Sequence, residues 1–180
     1  MRLTLEHIET ILGICESKYI EALRRDDLQP LLQKHRDWLL GTGGEQIRLR
    51  GYYLKGVDLE GAYLEHAEFE LCYMGGVNLH AAFLKKANFE KAVVENADLS
   101  ESDLTKTSFY DANLQGTDFS MADMYRTDLR KADMRNTILM DAYMESCYIK
   151  GTDFRGAIIS GKAAGFIAEN GWIVENGIVI

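Results

Sequence analysis

The sequence predicts an all-β solenoid of four-cornered coils, and three observations lead there. From position 47 a large apolar residue returns at every fifth place, while most residues between are polar. Two places before each of these lies a small or β-branched residue. Side chains of one kind also recur 20 residues apart, as in Phe69, Phe89 and Phe109, or Leu59, Leu79 and Leu99. A helix face returns after three or four residues and a strand face after two, so a period of five fits neither.

With Leu49 as the first centre, the apolar series runs through Leu54, Leu59, Leu64, Phe69 and Met74 to Phe154 and Ile159, and no centre is polar. The smaller partner two places earlier is a residue such as Ala67, Cys72, Thr107, Ala132 or Cys147, with only Ile47 and Tyr52 larger. Both positions therefore point inward. Asp or Asn often precedes the centre, and Gly follows it by two at Gly51, Gly56, Gly61, Gly76 and Gly116; these are turn formers. A chain that turns a corner every five residues closes on itself after four, giving a coil of about 20 residues whose successors stack as parallel strands about 4.8 Å apart.

The first 40 residues follow a different rule. Leu5, Ile8, Ile11, Leu12, Cys15, Tyr19, Ile20 and Leu23 recur at three and four, which predicts a helix over about 5–25. A second helix is expected from an N-cap at Asp27, with Pro30 in its first turn and an apolar stripe of Leu28, Leu31, Leu32, Trp38 and Leu39, ending at Gly41. The period of five fails after Ser160, and Trp172 to Ile180 reads as two short strands around Asn176-Gly177, a type I′ hairpin signal. Stacked coils leave unpaired strand edges at both ends. Three segments follow: a helical hairpin cap over 1–40, coils over 41–161, and a capping or dimerisation segment over 162–180.

The pentads ADLSE, ANFEK, ANLQG and ADMRN carry a further reading. Over about 47–161 the chain resembles the pentapeptide-repeat family, with its A(D/N)LXX motif. The resemblance implies a right-handed quadrilateral β-helix, here of about six coils. It implies no single activity, because members of that family serve different roles. It also implies that dimerisation through the C-terminal end is available, with Trp172, Ile173, Val174, Ile178, Val179 and Ile180 as the expected homodimer interface.

Composition narrows the partners. The 180 residues hold 28 acids against 20 bases, a net charge of -8, which argues against direct binding of nucleic acid or an anionic membrane. Cys15, Cys72 and Cys147 form no CxxC pair, and an odd count fits a reducing, cytoplasmic setting. No stretch reaches the roughly 18 uncharged apolar residues of a spanning helix.

Stacking places Glu60, His80 and Ser100 in one outward column, an acid–imidazole–hydroxyl order that invites comparison with a hydrolase. A flat coil side has neither a pocket nor oxyanion donors, so these are read as surface residues. His7, His35, His66 and His80 lack ligand spacing, and GTGGEQIRLRG follows a helix and reads as a linker. No catalytic, cofactor or metal residue is assigned, and an enzyme is not expected.

The expected function is a non-enzymatic scaffold that presents flat, partly acidic sides to a protein partner. Asp58, Glu60, Glu65, Glu68, Glu70, Glu90, Glu95 and Glu101 form the candidate partner-binding acids, and Tyr53, Tyr63, Tyr73, Phe83, Tyr143 and Tyr148 are candidate aromatic anchors. The alternative, which the resemblance implies, is a DNA-mimicking binder of a type II topoisomerase, DNA gyrase, that protects it from quinolones or toxins. Positions 41–161 hold 19 acids and 13 bases, a net of -6. Duplex DNA of the same height, roughly 28 Å, carries about 16 phosphates.

Overall fold

The computed structural model describes residues 25–180, and the helix expected over about 5–25 lies outside the described residues. From residue 48 to residue 153 the chain winds as a parallel ladder with a register of 20: Arg48 pairs with Glu68, Tyr53 with Tyr73, Asp58 with Asn78 and Tyr63 with Phe83, and so on up the stack. These four series define four sides. The first side carries the centres Leu49, Phe69, Phe89 and Phe109, the second Leu54 and Met74, the third Leu59 and Leu79, the fourth Leu64 and Leu84.

Each pentad turns a corner by one local bond and joins the next coil by others. The carbonyl of a centre accepts from the N–H three residues on, as in Ala67 to Leu64 at 3.0 Å. The second residue after the centre has positive φ, as a type II turn requires, and Gly76 (64°) or Gly116 (68°) meets that without strain. Many corners instead carry side chains, among them Leu71, Lys86 and Met121 with φ of 61°, 61° and 59°. Along the axis, Leu49 donates to the Glu68 carbonyl at 2.8 Å and Glu68 back to Ile47 at 2.9 Å.

The interior is filled by the paired inward positions. Phe69, Phe89 and Phe109 stack with ring centroids 5.0 Å apart at each step, and Phe109 meets Phe119 edge-on at 6.0 Å. Most inward polar groups are satisfied by backbone 23 residues earlier: Thr107 donates to the Leu84 carbonyl at 2.7 Å, Thr127 to Leu104 at 2.8 Å, and the Cys147 thiol to Met124 at 2.9 Å, whereas Ser102 and Thr137 donate to the carbonyl three residues earlier. The one outlier is Tyr52, which stays exposed at the start of the stack.

Helix α1 spans Arg25–Leu39 and differs from expectation at its start. Residue 27 lies within the helix and not at its start, and Pro30 is likewise internal. Leu28 enters the core, and fully buried His35 accepts the Ile47 N–H on Nδ1 at 3.1 Å. The glycine-rich stretch is no loose linker: Glu45 donates to the Lys34 carbonyl at 3.1 Å, and a Cβ on Gly44 would sit 2.0 Å from that oxygen.

At the other end, β1 (Ile138–Leu139) pairs in parallel with β2 (Ile158–Ile159). A short helix that the sequence reading missed, α2 (Gly161–Glu169), then buries Ala163 and Ile167. Strands β3 (Val174–Glu175) and β4 (Ile178–Val179) form the expected hairpin, with φ of 50° at Asn176 and 77° at Gly177, both positive as type I′ demands. Strand β4 pairs antiparallel with β2, so the sheet order is β1-β2-β4-β3. Trp172 meets Phe154 edge-on at 5.7 Å.

Two stability results are expected. Phe89→Ala, which breaks the ring stack, lowers the unfolding free energy by about 3–5 kcal/mol in denaturant titration. Met121→Gly, at an exposed left-handed corner, raises it by about 0.5–1 kcal/mol.

Candidate functional site

No cleft among the described residues gathers reactive groups, and no three His, Cys, Asp or Glu side chains cluster as a metal site. A cleft of about 640 Å³ lies between α1 and the first coil, and Leu31, Trp38, Ile47, Leu49 and Tyr52 line it.

The acids named from the sequence are distributed over all four sides. Asp58 and Glu60 stand on the third side, with Glu101 at its corner; Glu68, Glu70 and Glu90 are on the first, Glu95 on the second and Glu65 on the fourth. Asp58 accepts the Glu60 N–H at 3.2 Å and Asn78 Nδ2 at 3.1 Å. Three of the others are ion-paired: Glu68 with Arg48 at 3.6 Å, Glu70 with Arg50 at 3.1 Å and Glu90 with Lys91 at 3.0 Å. Glu95 accepts from the Tyr73 hydroxyl and from Asn113. Glu65 has one carboxylate oxygen buried without a partner, so it is only partly a surface acid.

The acid–imidazole–hydroxyl column is half formed. His80 Nδ1 lies 2.9 Å from Ser100 Oγ, yet that hydroxyl donates to Asp98 at 2.5 Å, which leaves the imidazole as the donor to Ser100. Glu60 leans toward Asn78 Nδ2 at 3.5 Å and makes no bond to His80. The imidazole thus does not serve as base to the serine, whose proton is held by a turn carboxylate. Asp98 also takes the Ser100 N–H at 2.9 Å, and the Asp or Asn before most centres does the same for its own turn.

The aromatic anchors also divide. Tyr63 and Phe83 are exposed and stack at 4.8 Å, whereas Tyr73, expected outside, is 5% exposed, lying between Tyr53 and Val93 and over Gly75. Arg130 and Arg155 each clamp the aspartate two residues earlier and hold the Asp128 and Asp153 carboxyls below the usual range. Burial pushes the thiols of Cys72 and Cys147 up to about 12, which suits packing groups and not nucleophiles.

The outward face of the C-terminal sheet was not foreseen as a unit. Ile138, Ile158 and Ile178 are register partners on neighbouring strands, and Ile180 donates its N–H to the Ile173 carbonyl beside them. Ile173 and Ile180 are 62% and 55% exposed, Ile158 and Ile178 each 44%, and Met140 adds 39%. Val179, by contrast, is 1% exposed and turned into the core, while Trp172 and Val174 pack partly against it.

Against this geometry, a family model described as pentapeptide repeats matches in eight copies over residues 53–90, 84–120 and 122–161. The chain belongs to the pentapeptide-repeat family. Among solved structures it is similar to Rfr23 from the cyanobacterium Cyanothece 51142, at 22% identity and a TM-score of 0.54, over 60% of this chain and 88% of that one. It is also similar to alr5209 from Nostoc Pcc 7120, at 34% identity over 46% of this chain and 68% of that one, with a TM-score of 0.45. QnrB1, a plasmid-mediated fluoroquinolone resistance protein, matches at 17% identity over 69% of this chain and 70% of that one, with a TM-score of 0.27. No curated protein matches the sequence. Membership fixes the fold as a right-handed quadrilateral β-helix, and pentapeptide-repeat proteins are generally structural or interaction scaffolds.

Two solution measurements follow. Alkylation of the native protein near pH 8, mapped by peptide, leaves Cys72 and Cys147 unmodified until denaturant is added. The second concerns His35, which burial holds below the usual imidazole range against a weaker pull from the Glu65 backbone and with the His66 charge adding to the depression. A folded value below the unfolded one means that the unfolded chain binds more protons, so stability falls as pH drops below about 6.5. The fall in unfolding midpoint between about pH 7.5 and 5.5 is expected to be smaller in His35→Asn, whose amide oxygen still accepts from Ile47.

Proposed function

We propose that this pentapeptide-repeat protein is a non-enzymatic scaffold that docks proteins on its flat sides, and that a second copy of the chain is one of them. The exposed isoleucine and methionine face of the C-terminal sheet carries this reading. Ile158, Ile173, Ile178, Ile180 and Met140 form an apolar surface on the sheet, with exposed Glu175 at its β3 side opposite Ile178, and the outer edge of β3 has no strand beside it within the described residues. An apolar face next to an open edge suits a symmetric contact in which the same patch serves both partners. The interface is narrower than the sequence suggested, because Val179 points inward and Trp172 and Val174 are partly covered.

At the opposite end, α1 acts in this reading as the seal of the first coil, held by Leu28 and by the His35 bond to Ile47. Free thiols at buried Cys72 and partly buried Cys147 are at home in the cytoplasm. The acid-rich early coils do not favour a DNA mimic that binds a topoisomerase, since Glu68, Glu70 and Glu90 are each paired with a base on their own side.

Sedimentation velocity at micromolar concentration tests the self-association. The full chain is expected to run as a dimer and the variants Ile158→Asp and Ile178→Asp as folded monomers. A wild-type chain that stays monomeric throughout that range overturns the reading.

A further inference from the structure

The bases of the rod fall into two groups. Arg48, Arg50, Lys91, Arg130, Arg135 and Arg155 each have an acid within ion-pair distance. The corner after the fourth side is different. His66, Lys86, Lys106 and Arg126 occupy it on four successive coils, all exposed and all with positive φ. They are neighbours on the ladder, since Lys86 donates to the Thr105 carbonyl at 3.0 Å, Lys106 to Tyr125 at 2.9 Å and Arg126 to Glu145 at 3.1 Å. Lys85 stands beside them, and none of Lys85, Lys86, Lys106 or Arg126 forms an ion pair among the described residues.

Like charges one coil apart, about 4.8 Å, repel, and each corner side chain also bears the cost of a left-handed backbone. Among the described residues no acid lies within ion-pair distance of Lys86, Lys106 or Arg126, and only Arg126 has a ring beside it, that of Tyr125 at 5.1 Å. Asp103 and Asp123, on the fourth side, are turned to their own corners and accept the Thr105 and Tyr125 N–H groups at 2.9 and 3.0 Å. The cationic stripe is one residue wide. Beside its middle, one flank carries Lys85, Thr105 and Tyr125 and the other Asn88 and Ser108, all able to hydrogen-bond a carboxylate, while Glu65 and Glu145 end the first flank and Glu68 and Asp128 the second. Beyond the flanks come acids again, Asp103 and Asp123 on one side and Glu90 on the other. A wide polyanion such as duplex DNA or a bilayer would press on those acids, whereas a single extended strand would not.

We infer that this corner is a docking groove for an acidic, extended segment of a partner protein, laid along the rod axis across Lys86, Lys106 and Arg126. From His66 to Arg126 is three coil steps, about 14 Å, the length of roughly four extended residues. The inference rests on the scaffold reading and supplies the chemistry of one partner, on a surface distinct from the apolar C-terminal sheet.

The test uses the full chain and a fluorescently labelled hexaglutamate peptide, followed by anisotropy at low salt. The variant Lys86→Gly/Lys106→Gly/Arg126→Gly removes three charges at positions where the backbone already suits glycine, so it folds. Its affinity is expected to fall by about tenfold or more, the loss of three exposed ion pairs. The control Lys55→Gln/Lys150→Gln/Lys162→Gln removes the same charge elsewhere and is expected to stay within about twofold of wild type. No binding by the wild type, an equal loss in the control, or tighter corner-dependent binding of a duplex oligonucleotide each overturns the inference. Self-association of the glycine variant, measured alongside, is unchanged if the scaffold's C-terminal contact is real, so the two readings fail separately.

Discussion

Every feature of this molecule depends on one register, in which a residue lies over the residue 20 places before it. Backbone bonds such as Leu49 to Glu68 and Glu68 to Ile47 lock that register, and the inward pairs maintain it by size. One large and one small side chain per pentad fill the tube, so an inserted residue would turn centres outward and swap small positions for large. The hydroxyls and thiols inside obey the same rule. Most reach a carbonyl 23 residues earlier because that is where the register places one, as Thr107 reaches Leu84 and Cys147 reaches Met124, while Ser102 and Thr137 bond within their own turn.

A stack built this way makes its own problem at each end, since the last ladder bonds have nowhere to go. The C-terminal solution is explicit. Strand β4 runs antiparallel over β2, with Ile159 donating to Gly177 at 2.8 Å and Val179 to Ala157 at 3.0 Å. This pairs one side of the final coil within the chain, but transfers the open edge there to β3 and exposes the isoleucines beside it. In the proposed dimer, capping and association are thus linked, because the hairpin that closes this side of the tube also creates the isoleucine face.

The repeat was legible in the sequence because burial dictates residue size at two positions in five, and nothing else competes there. The hairpin was legible because Asn-Gly fits the two positive φ angles. Less visible was whatever depended on packing between unlike elements. Helix α2 is nine residues with glycine at its first position and again within it, and only Ala163 and Ile167, four apart, signal its buried face. His35 reads as a polar residue of an amphipathic helix, yet it is fully buried because its ring accepts the Ile47 N–H. The start of α1 was misplaced for a related reason: Asp27 is a good cap by type, but the helix already includes Arg25. Ion pairs such as Arg48 with Glu68 are invisible to a linear reading, although a reading by columns of 20 places them side by side.

Columns also govern what the surface can do. In an ordinary fold, loops scatter like charges apart; here any two residues 20 apart are held about one strand spacing from each other whatever their sign. The rod handles this in three ways. It alternates sign within a column, as with Arg48 over Glu68, or it folds a base back onto the aspartate two residues before, as with Arg130 and Asp128. It also sets cations over rings, as where Lys131 lies 5.0 Å from the Tyr110 centroid. The corner from Lys86 to Arg126 uses neither of the first two: only Arg126 has a ring beneath it, that of Tyr125 at 5.1 Å, and the column remains a run of one sign. A rigid backbone cannot relax that repulsion by moving the strands apart, because the same hydrogen bonds hold the core together, so the field it projects persists until an external anion meets it.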